Sequence, residues 1–356
     1  MASIPRRQFL AAGGSIALGN LLAILPPSAR AAEAPTCSKG GTPPPPGSPL
    51  PALPAPPSPE TDQRFFPGFT RESIQTSGAA INVLHGGKGA PLLLLHGHPE
   101  THVAWHKVAG ELARDYTVIL PDLRGYGDSS KPEGGDHHIN YSFRAMALDQ
   151  VEVMRHLGLE RFFVAGHDRG GRVVHRLCLD HAKSVLKATV MDVAPTLTMY
   201  RDTTKEFATK YVWWFLQIQP FPLPEHLIGL DPAYYLKEHL EVQSRTPGAV
   251  TPEALAEYLR CYACTGTIHA VCEDYRAAAG IDLETDEADE RVGRKITVPL
   301  QALWGAKGVV GKLWDVLATW RPKVAGALTG KALDCGHLLP EEQPEAVIET
   351  LRSFCT

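Results

Sequence analysis

The sequence has no His-Glu-x-x-His segment, and its single Cys-x-x-Cys, Cys261 to Cys264, has no second copy to pair with. A structural or catalytic metal therefore finds little support among 15 scattered histidines. There is no basic excess either: 35 Lys and Arg face 39 Asp and Glu, the formal charge is −4, and nothing in that balance points to nucleic acid. A phosphate-binding loop is absent, because the stretch from Gly305 to Lys312 is one residue too long and is followed by Leu313 where Ser or Thr is required; it is expected to be a loop. Cysteine is scarce and odd in number, seven in all, so at least one thiol is unpaired unless two chains are bridged. Cys261 and Cys264 read more simply as small, half-buried helix residues than as a redox pair.

With 44% hydrophobic residues over 356 positions, the chain can bury a large core in one or two domains. Its N-terminus carries Arg6-Arg7-Gln8-Phe9-Leu10, an apolar Gly/Ala-rich stretch to Leu25, and Ala29-Arg30-Ala31. Twin arginines before a moderately apolar region and a small-x-small cleavage site resemble a Tat export signal over residues 1–31. The apolar stretch is short and Gly-rich for a membrane span, and an N-terminal membrane anchor is the alternative. Pro35 to Pro59, with eleven prolines, belongs to an extended linker over residues 32–60. A Tat substrate folds in the reducing cytoplasm before export, so disulfides need not be part of its design.

From Phe65 onward, short apolar runs (Ile81–Leu84, Pro91–Leu95, Thr117–Leu120, Phe162–Ala165, Ala188–Met191, Leu300–Trp304) alternate with helix-like stretches such as Ser142–Leu157 and Val173–Leu179. That rhythm predicts a mainly parallel sheet with helices on both faces, built from residues 61–195 and 296–356. Residues 196–295 break it, being rich in Tyr, Trp and helix-forming runs, and are expected to form a helical cap over the strand ends where ligands bind in such sheets.

At the centre stands Val164-Ala165-Gly166-His167-Asp168-Arg169-Gly170-Gly171-Arg172, which reads as strand, sharp turn and helix. This is the context of a nucleophile elbow, with Asp168 where hydrolases commonly carry Ser. A carboxylate displaces a leaving group from saturated carbon and becomes an alkyl ester, which a second step hydrolyses. That step needs a base held in one tautomer by an acid. His337, in Asp334-Cys335-Gly336-His337, is the natural base. The loop after Leu300–Trp304 has no carboxylate; Asp192 ends the preceding run, and Asp315 is a fallback acid in a helix-like run. His96-Gly97-His98-Pro99 follows a buried strand and places the His98 N–H, with that of Arg169, where an oxyanion forms. The glycines of Asp122 to Ser129 read as structural, at positive φ.

His96-Gly97-His98-Pro99, the Asp122 to Ser129 turn, the Gly166 to Gly170 elbow and Gly336-His337 occur in the order seen in α/β-hydrolase fold proteins. More narrowly, Asn140 to Ala147, Gly166 to Arg172 and Asp274-Tyr275-Arg276-Ala277 resemble the haloacetate (fluoroacetate) dehalogenases. The resemblance implies that Arg169 and Arg172 bind a haloacid carboxylate, that Asp192 is the acid, and that Trp213, Trp214 and Tyr275 receive the halide. Trp213 stands where the fluoride-active members have His. No cofactor is implied; a small anionic substrate is, and a homodimer is compatible with it. Epoxide hydrolase is the alternative, kept open by Tyr234, Tyr235, Tyr258 and Tyr262, although Arg169 replaces the aromatic residue such enzymes resemble one another in having. A ligand-binding homologue without turnover is the third reading, against which Asp168, Asp192 and His337 all count.

Overall fold

The computed structural model describes residues 63–263 and 265–356, without the side chain of Thr265. The export-signal reading of 1–31, the linker reading of 32–60 and Cys264 fall outside the described residues. Among these residues eight strands form one sheet: β1 (Thr70–Gln75), β2 (Ala80–Gly87), β3 (Ala90–Leu95), β4 (Tyr116–Pro121), β5 (Phe162–His167), β6 (Val185–Met191), β7 (Leu300–Gly305) and β8 (Leu328–Leu333). Their order is β1-β2-β4-β3-β5-β6-β7-β8. β2 pairs antiparallel with β1 and β4, and every other pairing is parallel.

A strand covered on both faces must be apolar on both. β5 reads Phe-Phe-Val-Ala-Gly-His and is buried at every position, which is why it shows in the sequence as a continuous run. The edge strands β1 and β8 read Thr-Arg-Glu-Ser-Ile-Gln and Leu-Thr-Gly-Lys-Ala-Leu and are largely exposed or half-buried. Neither is among the apolar runs, because an edge meets partner strand on one side and solvent on the other.

The short α1 (Ala109–Leu112) precedes β4; α2 (Phe143–His156) and α3 (Arg169–Asp180) flank β5. α2 opens on Ser142, whose hydroxyl accepts from Ala145 N at 3.2 Å and satisfies one of the amides that a helix start leaves unpaired. Between β6 and β7 the described chain holds no strand. It runs through α4 (Thr196–Arg201), α5 (Lys205–Lys210), α6 (Val212–Gln217), α7 (Leu223–Leu230), α8 (Pro232–Gln243), α9 (Pro252–Tyr262), α10 (Thr265–Ala279) and α11 (Ile281–Arg291). After β7 come α12 (Val309–Leu313), α13 (Val316–Trp320), α14 (Leu339–Glu342) and α15 (Pro344–Phe354). α12 corrects the expectation of a plain loop from Gly305 to Lys312: Val310 is fully buried, and a helical turn is what carries it into the core.

Candidate active site

β5 ends at His167 and α3 begins at Arg169, so Asp168 alone makes the turn, at φ 46° and ψ −112°. A non-glycine residue there is strained and persists only where its surroundings over-determine it. Asp168 N donates to Met191 O (3.1 Å), Arg172 N donates to Asp168 O (3.2 Å), and Gly170 N donates to His96 O (3.0 Å). The neighbouring glycines are steric requirements. A Cβ on Gly166 would stand 2.3 Å from Gly170 O, and one on Gly170 would stand 2.4 Å from Leu95 O.

The turn delivers the Asp168 carboxylate to the C-terminal ends of the parallel strands, where open α/β sheets bind ligands. Its Oδ1 accepts from His98 N at 3.1 Å, and its Oδ2 lies 3.7 Å from His337 Nε2. His337 Nδ1 is 2.5 Å from Asp192 Oδ2, and Asp192 Oδ1 accepts from Gly305 N at 2.9 Å. Asp192 is itself at positive φ, 50°. Asp315 is elsewhere: it is exposed and caps α13, accepting from Ala318 N at 3.0 Å. The structure thus brings Asp168, His337 and Asp192 together, all of them buried. Burial by itself would push the Asp168 carboxyl up, but His337, Arg172, His167 and Arg169 outweigh it and hold the group below the usual carboxylate range.

The two arginines differ. Arg169 is spent on Asp274: Nε donates to Oδ2 (2.9 Å), and Nη2 donates to the main-chain O (3.1 Å) and to Oδ1. Its guanidinium lies 4.2 Å from the Tyr275 ring centre and 4.7 Å from that of Phe143. Arg172 is equally buried but has no carboxylate salt-bridge partner among the described residues. Its Nη1 donates to Thr196 Oγ1 (2.9 Å) and Ala194 O (3.3 Å), and its Nε is buried without a partner. A buried cation left uncompensated is costly unless an anion joins it.

Trp214 packs its ring 4.6 Å from the Arg172 guanidinium, and its Nε1 is buried without an acceptor. Tyr275 is buried between Arg169 and His98, whose ring is 5.3 Å away. Trp213 packs its ring 4.3 Å from that of His239, the two planes tilted by 50°. Of the four tyrosines noted in the sequence, Tyr234 is exposed and Tyr258 donates to Glu341 (3.1 Å), whereas the hydroxyls of Tyr235 and Tyr262 are buried without partners.

Sequence reasoning assigned no role to Asp274, Gln217, His239, His167 or Glu100. Asp274 stands in a motif already singled out, which was the available signal. His239 and Gln217 sit on α8 and α6, and nothing local marks them. Among the described residues, Asp128, Glu257 and Cys261 could converge on a cation. Arg260 already donates to both carboxylates, at 2.7 to 2.9 Å, and burial pushes the Cys261 thiol up, so an arginine supplies the positive charge there.

The α/β hydrolase fold family model matches residues 90–344. A fluoroacetate dehalogenase from Burkholderia sp is 42% identical over 82% of this chain and 95% of its own length. A soluble epoxide hydrolase from Corynebacterium sp. (strain C12) is 32% identical over 80% of this chain and 97% of its own. The solved structure of a protein from Nostoc sp PCC 7120 is 55% identical, covers 81% of this chain and 98% of that one, and superposes with a TM-score of 0.79. With its sheet order, its strained acidic turn after β5 and these relatives over most of its length, the chain belongs to the α/β-hydrolase fold family.

Proposed function

We propose that the protein is a hydrolase that removes halide from a small haloacid such as haloacetate. The observation that carries this reading is Asp168 at the elbow, its carboxyl held below the usual range, flanked by a buried Arg172 that has no salt-bridge partner among the described residues and an unpartnered Nε, and backed by the His337–Asp192 pair. An Asp168 oxygen forms a bond to the α-carbon as the carbon–halogen bond breaks, and the halide leaves with the electron pair. His337 Nε2 then takes a proton from water as the water oxygen attacks Asp168 Cγ; the tetrahedral intermediate collapses, the C–O bond to the product breaks, the departing alkoxide takes the proton from the imidazolium to become the hydroxyacid, and the Asp168 carboxyl loses its remaining proton to solvent. Asp192 holds the imidazole tautomer and stabilises the imidazolium. The N–H groups of His98 and Arg169 receive the charge on the tetrahedral oxygen. Arg172 holds the substrate carboxylate, and Arg169, paired with Asp274, adds positive charge beside it; Trp214, Tyr275 and Trp213 line the halide's exit.

In this reading residues 196–295 cap the strand ends and exclude water, residues 1–31 direct export to the periplasm, and 32–60 tether the enzyme. No helix among the described residues is long and apolar enough to cross a membrane. The exposed Leu223, Leu227 and Leu230 on one face of α7 suit a homodimer contact. The epoxide reading draws on the unpartnered Tyr235 and Tyr262 hydroxyls and the Corynebacterium relative, while Arg172 speaks for an anion. A screen of halide release and epoxide opening separates the two. Single turnover of chloroacetate in oxygen-18 water is expected to leave label in the Asp168 side chain, and label in product alone refutes the ester mechanism.

A further inference from the structure

Five buried polar atoms around His98 have no close hydrogen-bond partner, His98 Nδ1, Gln217 Oε1, Tyr235 OH, His239 Nδ1 and Tyr262 OH, although the Gln217 amide adjoins the Tyr262 hydroxyl. They form one cluster. The His98 ring lies 4.8 Å from that of His239 and 5.7 Å from that of Tyr262; the Tyr235 ring is 6.1 Å from both His239 and Tyr262; and Gln217 Nε2 donates to His98 Nε2 at 3.3 Å. His98, Gln217, His239 and Tyr262 are at most 4% exposed. Buried polar groups are nearly always satisfied, so a concentration of five orphans contributed by four separate segments calls for a partner that those segments share.

The chemistry of the orphans defines that partner. With Nε2 accepting from Gln217, His98 carries its proton on Nδ1 and offers a donor, whereas Gln217 keeps Oε1 as an acceptor. The tyrosine hydroxyls offer both. Burial holds both imidazoles below their usual value, His98 well below and His239 to about 3, so neither is a cation for a second carboxylate. Mixed donors and acceptors without charge match a hydroxyl. The cluster adjoins the nucleophile, because the residue whose N–H donates to Asp168 Oδ1 is the one whose ring enters it.

We propose that His98, Gln217 and His239, with the Tyr235 and Tyr262 hydroxyls, form a subsite for an uncharged hydrogen-bonding substituent, a hydroxyl on the carbon next to the one Asp168 attacks. The natural substrate is then a hydroxylated α-haloacid rather than a bare haloacetate. That the carrier is a haloacid rests on the proposed function, whereas the cluster does not.

The test compares molecules that differ by hydroxyl against methyl. For wild-type enzyme, kcat/KM for halide release is expected to be at least about tenfold higher with 2-chloro-3-hydroxypropanoate than with 2-chlorobutanoate, since a site built to bind a hydroxyl discriminates strongly against its absence. His239→Leu and Gln217→Leu are each expected to bring that ratio towards one. A wild-type ratio at or below one overturns the proposal, as does an unchanged ratio in both variants. If either variant fails to fold, the wild-type ratio decides. Binding of 3-hydroxypropanoate and butanoate, followed by tryptophan fluorescence, gives a reading free of turnover, and the hydroxyacid is expected to bind at least about tenfold tighter. That preference without release of halide from any haloacid keeps the subsite and refutes the dehalogenase reading. Equal affinity, or binding of neither acid, overturns the subsite.

Discussion

His167, next to the nucleophile, sits between two acceptors: its Nδ1 is 3.1 Å from Glu100 Oε2 and its Nε2 is 2.7 Å from the main-chain oxygen of His337. Burial would lower its pKa, but the Glu100 carboxylate, by charge and hydrogen bond, and then Asp168 and Asp192 overcome that and lift it from 6.5 to about 9. A raised histidine stabilises the fold fully below its unfolded pKa and loses that contribution as pH rises through its folded one. Urea denaturation of the wild type is therefore expected to show stability falling between pH 6.5 and about 9, by on the order of 3 kcal/mol, and His167→Gln is expected to flatten that slope. Trp213 carries a prediction of its own. Losing one donor to a leaving group costs about 2.7–4 kcal/mol, and carbon–fluorine bonds depend on such donors more than carbon–chlorine bonds do. Chloroacetate is expected to exceed fluoroacetate by roughly two to three orders of magnitude in rate, and Trp213→His to narrow the gap from the fluoride side; equal halide release by wild type would sink this. Both roles of Asp168, strained turn and acidic group, were legible in Gly166 to Gly170, because they depend on neighbours in sequence. The clustering of His239 and Gln217 beside His98 was not, because it depends on helices folding back beside that residue.

Between elements, the Arg169–Asp274 pair joins α3 to α10 inside the protein. Removing one partner of a buried ion pair leaves the other unpaired, at a cost of about 3–5 kcal/mol. Arg169→Leu is thus expected to lower the unfolding free energy by that amount, read from denaturant midpoints. Arg172→Leu strands no paired carboxylate. It is expected to act on KM for chloroacetate, raising it about 10- to 100-fold through loss of charge-assisted hydrogen bonds worth roughly 1.5–3 kcal/mol. The reverse pattern would exchange the parts given to the two arginines. Helix α2 was legible at nearly its observed length, since Ser142 caps it and its buried positions recur with helical spacing. Strands β1 and β8 were not, because half-exposed edges need no apolar run.

Over the whole molecule, the candidate catalytic groups come from the ends of β3, β5, β6 and β8 and from helices of the long segment between β6 and β7. Residues 1–60 lie outside the described residues and are read as export signal and linker. A chain beginning at residue 61 is expected to melt within a degree or two of the full chain and to release halide at the same rate, whereas a large loss of stability would make the linker part of the fold. Arg6-Arg7→Lys-Lys is expected to retain the full chain in the cytoplasm, and unchanged periplasmic recovery would refute the Tat reading.

Local chemistry determined much in advance. Glycines that only a close backbone approach requires, an acidic residue at the turn between strand and helix, a histidine after the last strand and continuous apolar runs for the doubly covered strands are all written in neighbouring residues. Tertiary structure alone decided which cations are already paired. Arg169 and Arg172 lie three residues apart on one helix, yet among the described residues only the first has a salt bridge to a carboxylate, because Asp274 arrives on α10 more than a hundred residues later. The cluster around His98 follows the same rule: whether a buried polar atom is satisfied depends on side chains distant in sequence, and only the folded chain brings them within reach.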